Sequence, residues 1–335
     1  MTDILTVTLN AAVDTTLILA GPLRVGESQT AGRVLRSPGG KGVNVARVLH
    51  TLGARARATG LVGGPAAPSI VDGLSTEGIA ADFFAIAGAS RTNVALAEER
   101  GSGTLDPRVT EVNEPGPTVS ADEADRFLHH LDGLLPEAGA IVLSGSLPPG
   151  LPDDYYARII VRAHDAGVLA LLDTGGRGAR AALAARPLLI KPNRAEASAV
   201  LGRAVDGVAA AATAGDALRR DGAGAVALTL GVEGAVLVTG AGAWRAHVDA
   251  PAGLSAVGSG DAFLAGLLAS VTRAVERGDS PTLAAALEDE NIVVRALSLA
   301  VACGAANTLR LGAGVLDVAD VARLERAAVV ETVAR

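Results

Sequence analysis

Residues 4–9, 140–143, 168–172, 188–190, 225–230 and 235–238 are short, almost wholly apolar runs, and most of them stop at a cluster of small or polar residues. Ser144-Gly145-Ser146-Leu147-Pro148-Pro149-Gly150 closes the second run and Asp173-Thr174-Gly175-Gly176 the third. Lys191-Pro192-Asn193-Arg194-Ala195-Glu196 closes the fourth, and Gly231-Val232-Glu233-Gly234 the fifth. Continuous apolar runs of this length mark strands buried on both faces, as in parallel sheets. Helical patterns lie between them. Ser120-Ala121-Asp122-Glu123 is a capping-box signature ahead of Phe127, Leu128, Leu131 and Leu134. A second helix is expected near Asn44, stopping at Gly53, with Val45, Val48, Leu49 and Leu52 inward. The alternation predicts an α/β fold: a mainly parallel sheet flanked by helices on both faces. In such sheets the carboxyl ends of the strands form the ligand crevice, so the polar clusters should converge. Any one of them alone reads as an ordinary turn.

Two segments break the rhythm. Residues 15–35 and 83–114 look like extended chain with turns, the second holding strand patterns at 92–98 and 109–112 around a Gly101-Ser102-Gly103 turn. They are expected to pair as a small β-sheet lid on one domain spanning 1–335. The plainer alternative is an antiparallel extension of the main sheet. Residues 276–292, ending in Glu288-Asp289-Glu290, read as a solvated surface excursion.

Composition removes several function classes. With 29 basic against 36 acidic residues and 2 % aromatics, the chain lacks both a phosphate-backbone footprint and base-stacking platforms, so no nucleic-acid partner is expected. The longest stretch free of charged residues, 138–152, carries Pro148, Pro149 and Pro152 and is too short for a spanning helix. With no basic leader ahead of the first apolar run and a lone Cys303, which excludes an internal disulfide, a cytoplasmic protein without a membrane partner is expected. The histidines at 50, 129, 130, 164 and 247 form no H-x-x-x-H pair, so no transition-metal site is expected.

Two glycine-rich turns carry the chemistry. Gly258-Ser259-Gly260-Asp261 leads into the apolar helical run 262–268, and such a turn can aim successive N–H groups at anionic oxygens. Asp261 reads either as a helix cap, the commoner use of such a residue, or as a general base. Gly39-Gly40-Lys41-Gly42-Val43-Asn44 permits close backbone approach to a polar ligand, with Lys41 as a point charge. It is not a Walker A loop, because Leu35 stands where the first Gly belongs and Gly42 where Ser or Thr follows Lys. Gly258-Ser259-Gly260 does not continue into a dinucleotide fingerprint, since position 263 is Phe. The nearest nucleophile elbow, residues 253–257, lacks its last Gly.

Taken in order, these motifs resemble the ribokinase-like PfkB carbohydrate kinases, in the branch of 1-phosphofructokinase and tagatose-6-phosphate kinase. The resemblance rests on Thr6-Val7-Thr8-Leu9-Asn10 through Asp14, the Gly39–Ala46 motif, Arg91-Thr92-Asn93-Val94, Thr110-Glu111-Val112-Asn113-Glu114-Pro115-Gly116-Pro117 and Ser144 to Gly150. Lys191-Pro192-Asn193 with Glu196, Gly258 to Asp261, and Ala305-Ala306-Asn307-Thr308-Leu309 complete it. It implies a ribokinase-like fold with a lid and phosphorylation of a sugar-phosphate hydroxyl by ATP with Mg²⁺, foremost fructose 1-phosphate to fructose 1,6-bisphosphate. Tagatose 6-phosphate and a catalytically idle sugar-phosphate binder are the alternatives. It also implies that Asp14, Gly39, Gly40, Lys41 and Asn44 hold the sugar, with Arg91 and Ser144 at its phosphate. Asp261 would be the base, with amides of Gly258, Ser259 and Gly260 on the transferring phosphoryl. Asn193 and Glu196 would position Mg²⁺ through water, and Thr229, Gly231, Gly234 and Asn307 would border the nucleotide. Pairing of two copies through the lid is a further expectation. Two positions depart from the family pattern: Ala11 stands for Pro, and Ala256 for a Thr two residues before Gly258.

Overall fold

The computed structural model describes residues 3–100, 104–251 and 253–334. Its strands are β1 (Asp3–Thr8), β2 (Ala12–Leu19), β3 (Arg33–Gly39), β4 (Ala56–Gly63), β5 (Ala80–Ile86), β6 (Arg91–Arg100) and β7 (Thr104–Asn113), followed by β8 (Ala138–Ser144), β9 (Leu169–Asp173), β10 (Leu189–Ile190), β11 (Ala225–Thr229), β12 (Ala235–Val238), β13 (Ala243–His247) and β14 (Val329–Thr332). Ten of them form one sheet in the order β14-β13-β12-β11-β10-β9-β8-β1-β4-β5. From β5 to β11 every neighbour is parallel, and β12, β13 and β14 then add on antiparallel.

The period-two alternation along each central strand feeds two separate cores. Leu5, Val7, Ile141, Leu143, Val226 and Leu228 pack with the helices Ala121–Leu134, Tyr155–Asp165 and Gly207–Arg220. Ile4, Ala140, Val142, Ala225 and Ala227 pack with the helices Lys41–Thr51, Ser259–Glu276 and Glu290–Thr308. Burial on both faces is why these strands read as nearly unbroken apolar runs. The helix Glu290–Thr308 has the length and hydropathy of a membrane span, but 61 % of that window is buried inside the protein. It lies against the Ser259 helix closely enough that a Cβ on Gly266 would touch Cys303 Sγ at 2.9 Å. Cys303 is thereby a fully buried small side chain.

A separate four-stranded sheet has the order β3-β2-β6-β7, with β2 and β6 parallel. Its boundaries differ from those expected. Residues 83–86 belong to β5 and pair with β4 in the large sheet, so the second contribution starts at Arg91, while the first runs from Ala12 to Gly39. The expected Gly101-Ser102-Gly103 turn lies outside the described residues. The tract 276–292 is also more than a solvated excursion. It contains the short helix Leu283–Ala286 with Leu283, Ala286 and Leu287 buried, and the Glu288 carboxylate accepts the N–H groups of Gly240 and Ala241.

Candidate active site

The carboxyl ends of β10 and β11 and the start of the Lys41–Thr51 helix line one cleft of about 1220 Å³, which the four-stranded sheet walls on its other side. At its floor the Ser259–Glu276 helix begins. Gly258 is its N-cap, at φ 78°, and makes no side-chain cap bond. A Cβ there would meet Ala313 Cα at 2.7 Å and Gly314 N at 2.8 Å, so only glycine permits both the left-handed turn and this contact. Among the described residues the N–H groups of Gly258, Gly260 and Asp261 have no acceptor, whereas that of Ser259 turns onto the Ala256 carbonyl at 3.2 Å. Three donors, not the expected set with Ser259, are therefore open to an anion.

Asp261 is the third residue of this helix and is 4 % exposed. It does not cap the helix; its Oδ2 accepts the Asn44 amide at 2.7 Å. Burial, reinforced by the nearby Asp173 charge, pushes its carboxyl up to about 7, against the opposing pull of Lys41, Asn44 and Lys191. A carboxylate titrating there is matched to taking a proton near neutral pH.

Behind it lies an ionic group centred on Asp173, to which, as to Lys191, the sequence motifs assigned no role. Asp173, fully buried at the end of β9, stands 3.2 Å from both Lys41 Nζ and Lys191 Nζ. Lys41 Nζ is also 3.6 Å from Glu196 Oε1. Burial works to raise the Asp173 carboxyl, but Lys191 and Lys41 outweigh it and hold it below its ordinary range. Burial likewise disfavours the Lys41 ammonium, and Asp173, Asp261 and Glu196 outweigh that, holding its pKa above the ordinary value. Lys191 Nζ lies 3.1 Å from where a Cβ on Gly260 would stand, beside the open amides. The sequence signal was slight: Leu172 and Ile190 are partners in β9 and β10, so the charged residues that follow them become neighbours.

The inner face of the four-stranded sheet supplies the opposite wall. Asp14 Oδ1 accepts Asn93 Nδ2 at 2.8 Å, and the two residues are register partners. Burial raises the Asp14 carboxyl, partly offset by Asn93, Arg47 and Arg91. Glu111 also lines the cleft and was not assigned from sequence; burial and the Asp14 charge raise it. Arg91 lines the cleft while donating to the carbonyls of Asn10 and Glu114.

Asp14, Gly40, Lys41, Asn44, Arg91, Asn193, Thr229, Gly231, Gly234, Gly258, Ser259, Gly260 and Asp261 all border this cleft. The other expected residues stand back from it. Gly39 lies under Asp14, whose carboxyl carbon would be 2.2 Å from a Cβ there. Ser144 is fully buried at the end of β8, its Oγ without a partner among the described residues. Asn307 is fully buried too: it donates to the Val257 carbonyl at 2.6 Å and accepts the Gly314 N–H at 2.8 Å. It braces the Gly258 turn from behind and is not among the residues lining the cleft. Asn193 and Glu196 form a reciprocal capping box at the start of the helix Arg194–Leu201. Beside Ala256, the Ser255 hydroxyl accepts the Val257 N–H at 3.2 Å, so this turn keeps a hydroxyl contact one position away from the missing Thr.

Comparison with known proteins places this geometry. Escherichia coli phosphofructokinase-2, solved with potassium, is 26 % identical over 97 % of this chain and 99 % of that one, with a TM-score of 0.81. The same enzyme in complex with fructose-6-phosphate aligns at 25 % identity over 97 % and 99 %, with a TM-score of 0.80. A Thermotoga maritima protein described as a possible 1-phosphofructokinase, at 23 % identity over 99 % and 100 % and a TM-score of 0.81, shares the fold. Residues 7–318 match the model described as pfkB family carbohydrate kinase, and this chain belongs to that family.

Proposed function

We propose that this ATP-dependent sugar kinase phosphorylates a sugar phosphate, foremost fructose 1-phosphate to fructose 1,6-bisphosphate. The observation that carries the reading is the buried Asp261 carboxylate standing at a helix start whose neighbouring amides are open, in the cleft that also holds Lys41 and Lys191. Asp261 takes the proton of the substrate hydroxyl as its oxygen bonds to the γ-phosphorus and the bond to the β-phosphate oxygen breaks, releasing ADP. The N–H groups of Gly258, Gly260 and Asp261 receive the equatorial oxygens, whose charge redistributes in the transition state. Lys191 neutralises the nucleotide phosphates and Lys41 meets the sugar phosphate, each exchanging Asp173 for substrate. Asp14, Asn44, Asn93 and Arg91 orient the sugar. Thr229, Gly231 and Gly234 flank the nucleotide.

No group of three or more acidic, His or Cys side chains that could cage an ion occurs among the described residues. Glu196 keeps one oxygen, Oε1, free of its capping box. Asn193 and Glu196 would hold Mg²⁺ from outside, through its waters, an arrangement that suits an ion reluctant to dehydrate. When bound, Mg²⁺ supplies charge neutralisation to the phosphates. The opposite face of the four-stranded sheet exposes Val34 (43 %) and Val112 (63 %), which supports pairing of two lids in a homodimer.

The fructose-6-phosphate complex of the Escherichia coli neighbour supports fructose 6-phosphate as a second acceptor, beside tagatose 6-phosphate. ADP release is measured with ATP against fructose 1-phosphate, fructose 6-phosphate, tagatose 6-phosphate and the free sugars. Highest kcat/KM on fructose 1-phosphate is expected; binding without turnover on every sugar would instead identify a sugar-phosphate sensor.

A further inference from the structure

Arg47 lies on the Lys41–Thr51 helix one turn beyond Asn44 and is 8 % exposed. A buried guanidinium must have its donors satisfied, and here each of the five has an acceptor. Nε donates to Glu77 Oε2 at 2.6 Å, and Nη2 donates to Glu77 Oε1 at 3.0 Å and to the Pro38 carbonyl at 2.9 Å. Nη1 donates to the Ala313 carbonyl at 3.0 Å and to Asn44 Oδ1 at 3.4 Å.

Apart from Glu77, these acceptors belong to three different parts of the cleft. Pro38 is in β3, next to Ser37, the register partner of Asp14. Ala313 is the residue against which Gly258 packs. Asn44 holds the Asp261 carboxylate through Nδ2. The amide of Asn44 has one accepting and one donating end, and only the donating end suits a carboxylate. A permanently charged donor on Oδ1 fixes that choice. A lysine would offer a single point charge, unable to reach all of these carbonyls together.

We propose that Arg47 is a positioning residue for phosphoryl transfer: it holds the Asn44 amide in the orientation that donates to Asp261 and fixes the Ala313 backbone under the Gly258 turn, joining base and anion site to the foot of the four-stranded sheet. The inference rests on Asp261 being the base, and its test separates the two.

The alternative is a staple that only stabilises the fold through Glu77. Arg47→Met with Glu77→Gln removes both charges of the pair, so that no carboxylate is stranded. The groups facing Asp261, namely Asp173, Lys41, Lys191 and Asn44, stay in place, as does Asp14, the other acid that feels Arg47. For this double variant kcat is expected to fall by about tenfold to a hundredfold with a much smaller change in KM, as for displaced catalytic groups. The acid limb of kcat/KM should move to higher pH, because the carboxylate loses the fixed Asn44 donor that favours its charged form. Arg47→Lys should fall between the double variant and the native enzyme, and it carries the same two readouts if the double variant does not fold. A lowered melting temperature with unchanged kcat and an unmoved acid limb would overturn the proposal in favour of the staple.

A readout independent of turnover comes from ¹⁵N-labelled protein. The Asn44 side-chain amide resonances should titrate with Asp261 in the native chain, and with a raised midpoint in the variants. An unmoved midpoint would overturn the role of Arg47. Full activity of Asp261→Asn would remove the base reading, while the Asn44 titration would still report whether Arg47 governs that carboxyl.

Discussion

Two helices begin at the floor of the same cleft and treat their first turns in opposite ways. The Arg194–Leu201 helix is closed by Asn193 and Glu196, each side chain capping the other's backbone N–H. The Ser259–Glu276 helix has a glycine at its cap, makes no side-chain cap bond and leaves the amides of Gly258, Gly260 and Asp261 open. A reciprocal cap favours the fold by satisfying orphan donors locally. An open start gives that up and keeps a pocket of positive potential for a ligand. The one acidic residue in the open helix's first turn, Asp261, points away to Asn44 and leaves those donors free.

The contrast is broken most severely at Asp261. Asp261→Asn should lower turnover by at least about 10²-fold with sugar binding largely kept, the scale of a lost general base. Steady-state rates and direct sugar-binding measurements check it, and equal turnover would move the base elsewhere. The same variant carries a stability signature of defined sign. The Asp261 carboxyl is raised from 3.8 to about 7, so the fold favours its protonated form. Its contribution is fully favourable below the unfolded pKa and is lost as pH rises through the folded one. Asp261→Asn should therefore melt higher than the native chain near pH 8, with the difference shrinking towards pH 4, as thermal denaturation followed across that range would show.

Next in size, Gly258→Ala forces a left-handed backbone and a clash with the Ala313 and Gly314 backbone. A cost of about 1–3 kcal/mol is expected for such strain, with turnover falling further than stability because the open amides are re-aimed. A variant with native kinetics would show that this turn is not the anion site. A gentler probe leaves the sequence intact: kcat/KM should decline about tenfold per pH unit below about 7, as Asp261 becomes protonated. A flat profile down to pH 5 would contradict it. Smallest is the closed helix. Asn193→Ala should cost about 0.5–2 kcal/mol, as for other lost N-caps, read by denaturant titration. A far larger effect on turnover than on stability would assign Asn193 to the metal rather than the cap.

Much of this arrangement was legible in the sequence, for a physical reason. Strands buried on both faces appear as unbroken apolar runs, and 140–143, 225–230 and 235–238 fall within a residue or two of β8, β11 and β12. The strands not anticipated, β4, β5, β13 and β14, carry polar residues or glycines along them, and β5 and β14 lie at the sheet edges, half-exposed. The Ser120 capping box was visible because both partners are three residues apart. Asn193 and Glu196 have that same spacing, yet the family resemblance assigned them to a metal, and their mutual cap became visible only in three dimensions. Asn307 shows the opposite limit. Its place in a motif suggested a ligand contact, whereas both ends of its amide are used on Val257 and Gly314 backbone. The Asp173 clamp joins residues from three separated segments, and no local pattern announces it.

That clamp sets a rule for what the cleft will accept. Lys41 and Lys191 already share a carboxylate from within the protein, so an incoming anion must outbid Asp173 rather than settle on bare charge. A doubly charged phosphoryl group competes for them more strongly than a small monoanion, and two such groups arriving from opposite sides would release the lysines in turn, making an internal counter-ion a filter against ordinary salt.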